Sequence, residues 1–419
     1  MVRAANTSST LNATANGSGV LIENDIDYQS NHETATNTAY GPFAARYAGA
    51  LGNSLRVSIC PSSNAYASNV TAQYAHTANA LNYLVDSTTV INVNASGGPS
   101  INSYVYPGDL ISIDNGTSYN RVQSVNASAI VVATALTSNV SVGTAILRKW
   151  RYADNFGVAP GTSTYTSTRG GLNDEMHIIV LDEDGLFTGT ANTIVEKYSF
   201  VSKASDALLE DGSSNYYKTV INNNSRYIWW MAHQPGGTNW GNTSTGRTFT
   251  SVATPFTASM SAGADGTISS SEVISAAGYF ANPEEVDVGL IISGPGNATV
   301  ATDLITKAEV RKDCLVFLSP TKASVVNNYG NEVTSIIAFR DTLTSSSYAV
   351  LDSGYKYQYD RYNDTYRYVP LNGDIAGICA RTDLDRDPWF SPGGFNRGVV
   401  RNVIKLAWTP TKAERHLLS

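Results

Sequence analysis

The feature that most constrains this chain is an alternation of helix and strand signals between residues 271 and 352. Val273, Ile274, Ala277 and Phe280 recur at helical spacing with Pro283 just past them, which predicts a short helix. After it, VDVGLIISG reads as a buried strand, ATVATDLITKAEVRK as a helix, and DCLVFLSP as a strand. NEVTSIIAFRDTL then reads as a helix and SYAVLDSG as a strand. Repeats of this kind need crossover connections, so an α/β layer with neighbouring, partly parallel strands is expected.

The residues before it read differently. Positions 86–149 hold short β-branched runs, among them STTVINVNASGG, YPGDLISIDNG and AIVVATAL, separated by Asn, Gly and Ser turns. Their even spacing suggests a small barrel or sandwich. Upstream, Leu55, Val57 and Ile59 alternate as a strand does, and 67–84 could carry a short helix. Downstream, MHIIVLDEDG and ANTIVEKYSFVS predict two strands, and YYKTVINNNSRYIWWMAH predicts mixed structure. Residues 149–171 read as a boundary, and 235–270 as a long polar loop. Residues 1–40 are small and polar with few apolar anchors, the composition of a loosely held leader. The expected fold class is mixed, α+β with α/β, in several domains. A β-rich peripheral domain (barrel or sandwich) is inserted beside an α/β body with a mixed sheet.

Composition narrows the function. With 42% hydrophobic and 15% charged residues among 419, the chain is neither collagen, coiled coil nor acidic disordered tail. Its net charge of −7 argues against nucleic-acid binding through bulk electrostatics. Cys60, Cys314 and Cys379 are far apart in apolar surroundings. They form neither a disulfide framework nor a zinc pair, and read as small buried hydrophobes in a reducing compartment. No apolar run approaches the roughly 18 residues of a membrane helix, so no membrane insertion is expected.

Ser293-Gly294-Pro295-Gly296-Asn297 stands where a phosphate-binding loop would, but Thr299 replaces the third glycine, which favours a tight strand-to-helix turn. Asp182-Glu183-Asp184-Gly185 puts Val180 and Ala191 at the ends of a calcium-loop register, so it reads as a turn. His32, His76, His177, His233 and His416 form no HxxxH or HxH pair. Glu284-Glu285 and Asp383/Asp385 read as solvated faces. Tyr355, Tyr357, Tyr359, Tyr362, Tyr366 and Tyr368 interleave with Lys356, Arg361 and Arg367. Acidic neighbours there favour a hairpin with cross-strand aromatic pairs over a nucleic-acid platform. No catalytic, cofactor-binding or metal residue is expected. Pro370 to Asp374 reads as a turn and helix cap opening IAGICA, and Trp389 and Phe390 as exposed anchors in a polar loop.

Five segments together resemble the tail sheath proteins of contractile-tailed bacteriophages. FAARYAGALGNSLRVSIC (43–60) is similar to the family's Ala-Arg-Tyr-Pro-Gly and Gly-Asn-Ser-Leu signature, with Ala48 in the proline's place. SMSAGADGTIS (259–269) resembles its Gly-Gly-Xaa-Asp-Gly turn, with Ala262 for the first glycine. RKDCLVFLSP (311–320) and YKYQYDRYNDTYRYVPLNGDIAGICARTD (355–383) follow in the family's order. Last comes PWFSPGGFNRGVVRNVIKLAWTPTKAERHLL (388–418), with Gly393 for alanine and His416 for aspartate.

The resemblance implies a structural, non-enzymatic subunit with no cofactor. Such a subunit would polymerise with itself as stacked rings around a tail tube. It would also meet baseplate and tail terminator proteins, and contract to drive the tube through the host envelope. Its place would be the virion tail, assembled in the host cytoplasm. A sheath of a related contractile device (tailocin or secretion system) and a receptor-binding virion protein are the alternatives. In these terms 1–40 is a flexible leader and 41–85 the first part of the α/β body. Residues 86–149 are the outer β-rich domain, 150–354 the α/β sheath domain, and 355–419 the start of a truncated C-terminal region. The family's opening Pro-Gly-Val-Tyr segment and its further C-terminal domain are not recognisable. The chain alone is therefore expected to remain monomeric or weakly associated.

Overall fold

The computed structural model describes residues 4–34, 38–71, 76–78, 89–95, 100–136 and 140–418. The chain divides into two compact units, Thr7–Gly266 and Thr267–Ser419, the latter joined by the residues before Thr7.

The first unit is built on a four-stranded antiparallel sheet, in the order β12 (Thr193–Ser202), β11 (Glu175–Asp182), β3 (Leu55–Cys60), β14 (Phe256–Ser259). Ile59 faces Ile178 and Val57 faces Val180 across β3 and β11. One side of these strands presents Leu55, Val57, Ile59, Met176, Ile178 and Val180 to Tyr217, Trp230 and Phe249. The other side presents Cys60, Ile179 and Leu181 to Trp150 and Phe156. Burial on both faces explains why EMHIIVLD is continuously apolar instead of alternating. β14 was expected to be loop. Its alternate exposure and a single pairing to β3 left FTAS too short and too polar to signal a strand.

The polar opening is not a loose leader. Asn12–Thr14 forms β1, which pairs with β2 (Phe43–Ala48), and β2 pairs in turn with β13 (Ile228–Trp230). Asn12 is fully buried. Its Nδ2 donates to Ala45 O at 2.8 Å, and its Oδ1 accepts from Ile22 N–H at 2.9 Å. Tyr28 stacks on Trp229 with centroids 4.3 Å apart. Counting apolar residues misses such a segment, because satisfied amides and hydroxyls can be buried at small net cost.

The β-rich region is one seven-stranded sheet in the order β4 (Ala67–Asn69), β10 (Leu147–Lys149), β7 (Leu110–Ser112), β8 (Asn120–Val125), β9 (Ala129–Val132), β6 (Val90–Ala95), β5 (His76–Ala78). Of the barrel or sandwich expected, it is neither a closed barrel nor two sheets: among the described residues its end strands β4 and β5 do not pair. Ile91, Ile101, Ile111, Val122, Ile130 and Ile146 form its core. Of the helix expected within 67–84, Val70 and Thr71 are helical and run into residues outside the described ones. A helical turn occupies Ser63–Tyr66, 67–69 and 76–78 are strands, and 72–75 and 79–84 lie outside the described residues. Where β10 meets the body, buried Arg148 donates from Nε to Asp109 Oδ2 at 2.7 Å and from Nη1 to Ala65 O at 3.0 Å.

In the second unit the expected alternation is present. β15 (Leu290–Ile292), β16 (Leu315–Leu318) and β17 (Ala349–Leu351) are parallel, in that order. The helices Ala298–Arg311 and Glu332–Asp341 make the crossovers. A reciprocal Ser269/Glu272 capping box opens the helix Ser270–Gly278. Val316 and Leu318 pack on Val300, Leu304 and Phe339. The sheet is not mixed, as had been expected. The antiparallel strands β18 (Tyr355–Asp360), β19 (Thr365–Pro370) and β20 (Lys405–Leu406) form a separate sheet in the order β19-β18-β20.

Candidate functional site

The sequence motifs resolve into structural duties. Gly296 approaches Pro320 so closely that a Cβ would lie 2.4 Å from its carbonyl carbon, and Asn297 Oδ1 caps the next helix at Val300 N–H. The loop's polar atoms are occupied: Asn372 Nδ2 donates to Gly294 O at 2.6 Å and to Ser293 Oγ at 3.2 Å. Asp182 is a turn organiser. Its carboxylate accepts from the backbone N–H groups of Gly185, Phe187 and Thr188 and from the hydroxyls of Ser54 and Thr188. Glu284, Glu285, Asp383 and Asp385 are exposed. Cys60 and Cys314 are buried, while Cys379 is only half-buried.

His177 is buried against Phe156, its Nε2 hydrogen-bonded to Val158 O at 2.9 Å and its Nδ1 accepting from Phe200 N–H at 3.1 Å. Burial holds it below the usual histidine range. His233 is pushed down to about 4, by burial first and Lys218 second, with Tyr217 Oη 2.5 Å from its Nδ1. Lys203 is buried, its ammonium donating to Pro61 O and Asn173 O at 2.7 and 2.6 Å, and desolvation lowers it to about 7. Among the described residues no three His, Cys, Asp or Glu side chains gather in a metal-binding cluster.

Part of the second unit's surface is apolar and basic. Tyr359 faces Tyr366 and Tyr357 faces Tyr368 across the β18–β19 hairpin, as expected. Tyr362 stands out at its turn, while Trp389 is 79% exposed and Phe395 fully so. From Phe395 to Leu406 runs a strip with Val399, Val403, Ile404 and Leu406 exposed and Arg397, Arg401 and Lys405 between them. Its backbone is pinned. Ile404 N–H donates to Tyr357 O at 2.9 Å, Ala407 N–H to Tyr355 O at 2.7 Å, and Lys356 Nζ to Arg401 O at 3.0 Å. The sequence reading found Trp389 and Phe390 but not the strip. The missed signal was the absence of any Asp or Glu between Asp387 and Glu414.

A tethered strip whose side chains stay apolar and unburied is the mark of an interaction surface. No family model matches the chain. The chain is similar to curated tail sheath proteins of three phages. With that of Enterobacteria phage T4 it is 40% identical over 168 residues, 36% of this chain and 26% of that protein. With that of Vibrio phage KVP40 it is 41% identical over 161 residues, 33% and 24% respectively. With that of Salmonella phage ViI it is 25% identical over 423 residues, 95% of this chain and 60% of that protein. The chain thus spans less than two thirds of the length of each of these relatives.

Proposed function

We propose that this chain is a structural subunit of a contractile phage tail sheath. It acts by assembling with copies of itself around a tail tube and shifting cooperatively to a shorter lattice when the baseplate triggers. The observation that carries the reading is the alignment with a tail sheath protein along 95% of the chain. The exposed, acid-free strip at 395–406 supports it, because a subunit of a repeated lattice must offer apolar surface that a monomer leaves uncovered. On this reading tube, baseplate and tail terminator proteins are the other partners. The β-sheet region around 86–149 is then the outer, peripheral part, and catalysis has no role. Contraction is a change between two arrangements of one repeated interface.

The test is immunogold labelling of the virion that encodes the chain, with antibodies raised against it. Label distributed along the tail, with its spacing shortened after contraction, is expected. Label confined to fibre tips or to the capsid would overturn the reading in favour of receptor binding or another virion role.

A further inference from the structure

In a parallel α/β layer, ligands enter at the carboxyl ends of the strands. Here that edge is filled by the chain itself. The residues just past the three strands, Ser293, Ser319 and Asp352, converge on the start of the helix Asn372–Asp385. Ser319 Oγ donates to Asp352 Oδ2 at 2.6 Å and accepts from Asn372 N–H at 3.1 Å. Gly354 N–H donates to Asp352 Oδ1 at 2.9 Å. Two helical positions further on, Asp374 Oδ1 accepts from Lys356 Nζ at 2.8 Å, and the same ammonium donates to Arg401 O at 3.0 Å. One connected network therefore ties the sheet edge, the helix start and the exposed strip. Leu371, the residue preceding that helix, contributes no side-chain cap, so the polar knot is what fixes this end.

We propose that Asp352 is the proton-controlled bolt of this latch, holding the helix Asn372–Asp385 and the 395–406 strip tightly when protonated and loosely when ionised. Burial pushes its carboxyl up to about 7; the hydrogen bonds from Ser319 and Gly354 oppose the rise, and the Asp374 carboxylate adds to it. The charged groups facing it are few. Asp374 comes from the helix and the Tyr355 phenol from β18, while β15 and β16 supply the neutral Ser293 and Ser319, and the first turn of Ala298–Arg311 is free of acids. Ionisation places a second carboxylate beside Asp374 and repels it, which loosens the Lys356 bridge from Asp374 to Arg401 O. The closed latch binds a proton that the open one releases, so closure weakens as pH rises from about 4 towards 7.

Hydrogen exchange read by mass spectrometry on the whole chain tests this. After correction for intrinsic rates, protection of peptides spanning 372–385 and 395–407 should fall about tenfold per pH unit between about pH 5 and 7, the slope of one linked proton. Asp352→Asn, which keeps a neutral acceptor for Ser319 and Gly354, should flatten that profile while peptides of the 7–266 unit keep their own pH dependence. An undiminished slope in Asp352→Asn overturns the proposal. A flat profile in the unmodified chain overturns it without any variant, so the outcome does not depend on Asp352→Asn folding.

Discussion

The two units solve opposite problems. In residues 7–266 the difficulty is polar matter inside: Asn12, Asp109, Arg148, Asp174, His177, Asp182 and Lys203 are all buried there, nearly all with named partners. In residues 267–419 the difficulty is apolar matter outside. Of the large apolar side chains exposed among the described residues, nineteen lie in this shorter unit and ten in 7–266. A buried polar group must be satisfied within its own unit, whereas an exposed apolar group is satisfied only by something else. The comparison therefore separates a self-contained scaffold from a unit whose surface asks for partners.

The largest effect should come from breaking the scaffold's buried charge pair. Asp109→Ala leaves Arg148, 1% exposed, without its carboxylate, and Arg148 Nη2 already lacks a hydrogen-bond partner. Urea unfolding should show a loss of about 3–5 kcal/mol in the transition of the first unit. The double variant Asp109→Leu/Arg148→Met should recover most of it. A loss below about 1 kcal/mol would mean that the pair is solvated and that the two units are less different than the burial suggests.

Next comes the polar opening. Asn12→Ala removes one amide that serves two backbone groups, Ala45 O and Ile22 N–H, at a position with no exposure. A loss of about 2–3 kcal/mol is expected, and a loss near zero would restore the loose-leader reading.

This segment shows where the sequence was legible and where it was not. Leu55, Val57 and Ile59 announced β3, the helix–strand alternation announced the parallel layer, and the tyrosine spacing announced the hairpin pairs. In each the signal is periodic and local. Asn12, Asp109 and Lys203 are buried by partners 33, 39 and 142 residues away, and no local period records such pairing. The strip at 395–406 failed for another reason: its apolar residues have no period because they belong to no core of their own unit.

The third prediction sets the units against each other in pH. His233 and His177 titrate lower in the folded chain than unfolded, so between about pH 6.5 and 4 the unfolded chain binds protons that the folded one does not. Their contribution to the first unit is complete above the ordinary histidine range and is lost as pH falls through it. The effect should be about 1–2 kcal/mol once partial exposure of His233 is discounted. Asp352 makes the latch of the second unit respond the other way, firmer in acid. Exchange protection followed by peptide should show the two trends diverging below pH ~6.5, with His233→Asn reducing the slope of the first unit only. Parallel trends would remove the electrostatic part of the contrast.

The smallest effect on stability, and the most telling, is expected on the exposed strip. Phe395 and Trp389 contribute almost nothing to their own unit's core, so Phe395→Ser and Trp389→Ser should change unfolding free energy by less than about 0.5 kcal/mol. If the strip is an assembly surface, the same substitutions should weaken association at constant fold. Aromatic anchors at the centre of an interface typically contribute about 2 kcal/mol or more each, a shift of roughly thirtyfold in the association constant. Sedimentation velocity over a concentration series reads the two quantities separately from thermal unfolding. Raising the salt concentration should weaken association modestly, because the interleaved Arg397, Arg401 and Lys405 are exposed, where screening acts. Substitutions that lower stability by 2 kcal/mol or more would show that the strip packs within its own unit. Substitutions that leave both quantities unchanged would show that its exposure carries no contact, and the contrast between the two units would then reduce to their interiors.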